Sequence, residues 1–188
     1  MKKTLLSAAL VAVVGSAVIP SAFAADGKIT FKGQISDVTC TVTGGTGTDG
    51  GAQNFTVTLP TIPKTALDVA GDRAGDTPFS VVIGGTGQTG CTNGKVASLK
   101  FEAAQSPVDA ATGRLINSIA AGSAAVVQVG LLNDTKQDIN LYTSAGSTAA
   151  AIAGNTATLN YWAQYYAPTT GVTSGAVDTY VMYSAQYN

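Results

Sequence analysis

The segment Ala25 to Cys40, ADGKITFKGQISDVTC, limits what this chain can fold into more than any other. Ile29, Phe31, Gly33 and Ile35 alternate with Thr30, Lys32, Gln34 and Ser36, the two-residue period of a strand with one buried face. At Val38, Cys40 and Val42 the apolar residues move to even numbers, with Asp37, Thr39 and Thr41 around them. A one-residue slip sends every side chain to the opposite face. The two halves therefore either meet at a bulge or pack into different hydrophobic surfaces. A leading segment frays unless it is tied down, and this one carries a strand of apolar anchors suited to another molecule.

Residues 1–24 read as an export signal. Lys2 and Lys3 form a basic start, Leu5 to Ile19 is apolar, and Ala22-Phe23-Ala24 is an A-x-A cleavage site. The apolar run is shorter than the roughly 20 residues that a spanning helix needs. No second run of that length follows, so no membrane span is expected in the mature form. The 164 residues left of 188 suit one domain with one core. Eight basic and eleven acidic residues remain, a net charge near −3, and the cations are scattered. Nucleic acid, which calls for a clustered basic surface, is not an expected partner. Cys40 and Cys91 form an even pair in an exported chain, which points to a disulfide. Its closed loop of about 50 residues would stabilise the fold by roughly 4 kcal/mol.

Short alternating segments recur between Gly, Asn, Asp, Thr and Pro clusters. They include Phe55 to Leu59, Phe79 to Ile83, Lys95 to Phe101, Val127 to Leu131 and Ile139 to Tyr142. Leu159, Tyr161, Ala163 and Tyr165 share one face of a further strand, with Asn160, Trp162, Gln164 and Tyr166 opposite. Val177, Thr179, Val181, Tyr183, Ala185 and Tyr187 share a face of the last. Many short strands with turn signals between them predict an all-β antiparallel sandwich. Ala66 to Ala74 has room for one helical turn, and the Gly/Thr-rich stretch 43–53 reads as an exposed loop. A terminal strand with an apolar face needs neighbours on both sides unless it lies at an edge. If residues 28–36 do not fill that place in the same molecule, an open groove is expected.

Both ends resemble the chaperone–usher pilin family, type 1 and P pilus-like. Thr30 to Gly33, TFKG, matches the [TH]-F-x-G core of its rod subunits, seven residues before the first cysteine. Cys91 closes the strand FSVVI as the family's second cysteine does. Tyr187 is penultimate and Gly175 fourteenth from the end, both positions of the family's C-terminal signature. The resemblance implies an immunoglobulin-like β-sandwich lacking its last strand. It also implies three parts: a signal peptide at 1–24, a donor-strand extension at 25–37 and a pilin domain at 38–188. Only Ala25 to Lys28 precede Ile29, a compact spacing more like minor tip-fibre subunits, so rod and tip placement both stay open.

The function implied by the resemblance is that of a structural subunit of a surface fimbria, which supports adhesion and polymerises by donor-strand exchange. Ile29, Phe31, Gly33 and Ile35 would enter a neighbour's groove, with Gly33 over a shallow part of it. Gly175, Val181, Tyr183, Ala185 and Tyr187 would form the strand that pairs first with a periplasmic chaperone and then with the incoming donor. The implied partners are copies of the chain or sister pilins in a head-to-tail polymer, the chaperone, and an outer-membrane usher. The route runs through the periplasm to the cell surface.

Other signals are weaker. Gly85-Thr86-Gly87-Gln88-Thr89-Gly90 fits G-x-G-x-x-G, but turn residues Cys91 to Gly94 follow where a pyrophosphate site needs a helix. No cofactor is expected. Asp68, Asp72 and Asp76 recur every four residues, and a solvated face explains them better than a metal site. The absence of histidine excludes His-dependent triads and histidine-liganded metals, and no nucleophile–base arrangement suggests an enzyme. Trp162 with Tyr161, Tyr165 and Tyr166 could make a stacking platform. The competing function is therefore a secreted β-sandwich carbohydrate-binding protein.

Overall fold

The computed structural model describes residues 38–188. The leader, the extension with Ile29, Phe31, Gly33 and Ile35, and most of the register slip lie outside the described residues. Within them eight strands alternate with turns: β1 (Val42–Gly44), β2 (Arg73–Gly84), β3 (Val96–Phe101), β4 (Leu115–Ile116), β5 (Gln128–Leu132), β6 (Ala149–Ala151), β7 (Thr156–Tyr166) and β8 (Tyr183–Tyr187). They form an antiparallel sheet of order β1-β2-β7-β5-β4 and a second of order β6-β3-β8. The only helical turns among the described residues are two short 3-10 segments, Lys64–Leu67 and Ala103–Gln105.

Alternation decides which faces meet. Along β7, Ala157, Leu159, Tyr161, Ala163 and Tyr165 are buried, while Asn160, Trp162 and Tyr166 look outward. They pack with Phe79, Val81 and Ile83 of β2, Val129 and Leu131 of β5, and Ala97, Leu99 and Phe101 of β3. Tyr161, 1% exposed, joins the layers. Its ring stacks on Phe79 at 5.5 Å and meets the edge of Phe101 at 6.3 Å. Burial pushes its phenol up to about 12, with the hydroxyl 3.4 Å from Ser147 Oγ. Between Ala74 and Thr77 the β2–β7 register shifts by one residue at Gly75, whose φ is +75°. A β-bulge there needs a residue free to take the left-handed conformation.

Several sequence expectations are adjusted by hydrogen bonding. Ile139 to Tyr142 is not a strand: Asn140 Oδ1 accepts the N–H groups of Tyr142 and Thr143 and bends the chain into a turn. The 43–53 stretch is not simply a loop. It begins as β1 and folds back so that Gln53 N–H donates to Val42 O at 2.9 Å and Gly44 N–H to Gly51 O at 3.0 Å. Phe55 to Leu59 keeps its alternating burial yet belongs to no ladder among the described residues. The last alternating segment enters a ladder only from Tyr183 onward. The helical turn near Ala66 is confined to Lys64–Leu67, and Arg73 already begins β2.

Cys40 and Cys91 form a disulfide with Cα atoms 4.6 Å apart, joining the approach to β1 with the turn after β2. Thr39 N–H donates to Gly90 O (2.7 Å) and Gly84 N–H to Thr41 O (2.7 Å) on either side of it. The bond closes a loop spanning 51 residues. Replacing both cysteines by serine should therefore cost about 2–5 kcal/mol, read as a lower urea midpoint. An unchanged midpoint would mean that the flanking hydrogen bonds hold the junction alone.

Candidate functional site

Among the described residues the sandwich is open along one side. Two extended segments, 55–59 and 177–183, border a groove of about 600 Å³ whose floor is the core itself: Phe79, Val81, Leu99, Phe101, Val129 and Tyr161. A second hollow of about 490 Å³, lined by Thr39 to Val42 on one side and by Val181 to Tyr183 and Ala185 on the other, continues it toward the disulfide. Phe55, Val57 and Leu59 are half-buried while Thr56 and Thr58 are exposed. Opposite them Val177, Thr179, Val181, Tyr183, Ala185 and Tyr187 are half-buried, and the even-numbered residues between them are exposed.

Backbone geometry makes the 177–187 side a strand edge. Val96 and Asn188 exchange two hydrogen bonds (2.8 and 3.0 Å), and Glu102 N–H donates to Met182 O at 2.8 Å. With Ala97 opposite Tyr187, Leu99 opposite Ala185 and Phe101 opposite Tyr183, the even residues bond to β3. The odd residues turn their N–H and C=O groups the other way, toward the groove. The parity persists upstream of β8. Asp178 N–H donates to Asn117 Oδ1 (2.7 Å), Ser118 N–H donates to Asp178 O (3.0 Å), and Met182 N–H donates to Ser106 Oγ (2.8 Å). Among the described residues no backbone partner meets the odd-numbered edge.

The structure therefore brings Val181, Tyr183 and Ala185 onto one groove wall, and Tyr187 follows on the same face of β8 beyond the hollows. Gly175 lies beyond the end of the wall. There residues 122–124 run beside 175–176, with Ala124 N–H donating to Ala176 O at 2.8 Å. A Cβ on Gly175 would collide with the backbone of Ser123 and Ala124. The buried Asn117 amide ties this corner together, donating to Ala124 O (2.7 Å) and Ala176 O (3.1 Å). Sequence reasoning missed Asn117, because a lone Asn between Ile116 and Ser118 carries no signal until its three partners converge. Burial raises the Tyr183 and Tyr187 phenols above their ordinary value, against a Cys40 backbone hydrogen bond that favours the Tyr187 phenolate.

The other candidate sites are occupied by the chain's own groups. On the outward face of β7, Lys136 Nζ sits 3.9 Å over the Trp162 ring, and the Arg114 guanidinium 3.8 Å over Tyr166. Tyr161 and Tyr165 point into the core, so the four aromatics do not form one stacking platform. Asp138 receives both Arg73 (2.7 Å) and Arg114 (2.9 Å). Gln164, with its amide oriented to satisfy both neighbours, lies between Asp76 and Arg73. Asp76 pairs with Lys136 (2.9 Å) and Asp72 accepts the Val69 N–H (2.8 Å). Residues 85–91 form successive turns with no helix after them.

Known proteins resemble this chain in both sequence and fold. The family model FimA, type-1 fimbrial protein A, matches residues 59–188. The chain belongs to this family. It is 39% identical over 175 residues to the major fimbrial subunit SMF-1 of Stenotrophomonas maltophilia (strain K279a), which spans 89% of this chain and 96% of that protein. It is 36% identical to the F17 fimbrial protein of Escherichia coli, over 95% and 96% of the two chains. A solved chaperone–usher pilus shares the fold at a TM-score of 0.54 and 18% identity, covering 90% of this chain and 98% of that one. The P pilus rod subunit PapA does so at 0.50 and 16%, covering 71% and 92%. The fold is thus the immunoglobulin-like sandwich of pilins, and the chain's role is that of a structural subunit of a fimbrium. Among the described residues no helix is long and apolar enough to cross a membrane.

The charged cluster on this subunit's β7 face has a pH signature. Burial works against the charge on Asp138, but the hydrogen bonds and charges of Arg73 and Arg114 outweigh it and hold the carboxyl below its ordinary value of 3.8. A depressed carboxylate contributes stability that is present at neutral pH and lost as pH falls below about 4. Asp138→Asn should remove that contribution at pH 7 and flatten the acid limb of stability against pH. An acid limb identical to that of the parent in thermal melts from pH 2 to 7 would refute this.

Proposed function

We propose that this subunit polymerises by donor-strand exchange, with residues 25–37 as the donated strand and residues 38–188 as the accepting body. The observation that carries this reading is the edge of odd-numbered backbone groups from Val177 to Tyr187, set beside a groove floored by the core. An extended peptide added there would gain main-chain hydrogen bonds along the edge, and its alternate side chains would reach the apolar floor. Ile29, Phe31 and Ile35 supply such a set, each contributing about 1.5–3 kcal/mol on burial. Gly33 lets the inserted backbone approach closely. Donor and acceptor are different surfaces of one chain, so the contact is heterologous and the polymer open-ended.

A subunit with this apolar groove needs protection before assembly. The proposed partners are a periplasmic chaperone that pairs with Val181, Tyr183, Ala185 and Tyr187, with Gly175 keeping the strand's entry in place, and an outer-membrane usher. The route follows from the leader at 1–24: export to the periplasm and then to the surface, without a catalytic step or a cofactor.

Phe31→Arg places a charge on the donated face while leaving the accepting groove unchanged. Such a subunit should be exported and folded, yet its gels should lack the heat-resistant multimer ladder that strand-linked assemblies leave in detergent. Fibres of normal length, seen by electron microscopy, would refute the donor role. Deleting Gln186 to Asn188 shortens the edge and should abolish co-purification with the chaperone. Capture at the parent level would remove the terminal strand from the interaction.

A further inference from the structure

The groove is bridged at its middle. The Tyr183 hydroxyl donates to the backbone carbonyl of Gln53 at 2.6 Å, reaching from one wall to the other. The Tyr183 ring lies 5.9 Å from that of Phe55 on the far wall. Gln53 holds a left-handed conformation, with φ +63°, while its N–H stays bonded to Val42 O. That conformation is costly for a residue with a side chain and persists where the surroundings enforce it. Here it turns the Gln53 carbonyl away from β1 and toward Tyr183. Gln53, Asn54 and Val181 to Tyr183 line both hollows, so the bridge stands where one passes into the other.

We propose that the Tyr183–Gln53 bridge is a latch on strand entry. It ties the walls together across the groove and occupies a carbonyl that an incoming strand would use. A strand can seat in either hollow with the latch closed, and seats along the whole groove only after the hydroxyl releases Gln53. Tyr183 thus sets the rate of exchange as a positioning residue, beyond supplying apolar surface to the groove. The latch rests on the donor-strand reading of the groove.

The test uses the exported form of the chain carrying Phe31→Arg, mixed with a fluorescein-labelled peptide of residues 25–37, ADGKITFKGQISD, and followed by anisotropy. Tyr183→Phe keeps the ring and removes the hydroxyl. It should speed peptide uptake roughly two- to tenfold, the factor that one neutral hydrogen bond represents, with the same final anisotropy. Gln53→Gly frees the carbonyl from its fixed aim and should also speed uptake. Combined with Tyr183→Phe it should add nothing further, since both act on one bond. An unchanged or slower rate in Tyr183→Phe overturns the latch alone, as do accelerations that multiply in the double variant. If Tyr183→Phe fails to fold by circular dichroism, the rate of Gln53→Gly decides: faster supports the latch, unchanged or slower overturns it. No uptake by the Phe31→Arg parent overturns the strand-docking reading and the latch with it.

Discussion

Close packing between the two sheets is the constraint on which everything else in this subunit depends, and along one side that packing stops short. Leu159 and Tyr161 of β7 meet Phe101 and Leu99 of β3 in a continuous apolar layer. Where 55–59 and 177–183 diverge, the same layer becomes the floor of a groove. Apolar surface of this kind is stabilised by being covered, and a bare strand edge beside it invites pairing. On the proposed reading, the surface left uncovered in the isolated body is the one that a neighbour's strand would cover.

The corners of the groove are fixed by polar devices. The disulfide and its flanking hydrogen bonds hold the end near Thr39 and Gly90. Asn117 and the close approach at Gly175 hold the other, where the terminal strand leaves the 122–125 loop. Between these anchors Tyr183 spans the opening. A groove pinned at both ends keeps a defined width, which the proposed uptake of a strand in one register calls for, and the bridge at its middle is the contact that such uptake would have to open. The charged cluster around Asp138 lies on the opposite face of the larger sheet and plays no part in the groove.

Family membership and geometry bear on different properties of the subunit. The matches to fimbrial proteins establish a structural subunit and its sandwich fold. The edge parity of 177–187 gives a physical reason why such a body can accept a strand, independent of any relative. Trp162 and Tyr166, under their own chain's cations, give no matching reason for a sugar platform.

Alternation by itself determined the all-β class, the buried face of β7 and the inward set Val177 to Tyr187, because a two-residue period leaves few other solutions. The paired cysteines in an exported chain determined the disulfide, since only their mutual reach was left to settle. Tertiary structure decided which alternating segments enter a ladder. Ile139 to Tyr142 lost to the Asn140 turn, and Phe55 to Leu59 and 177–182 stayed extended without one. Alternation records only which face is buried. Hydrogen-bond partners lie across the fold, where neighbouring residues in sequence carry no information about them. For the same reason Asn117 and the Tyr183–Gln53 bridge, built from groups 130 residues apart in the second case, emerged only when the chain closed on itself.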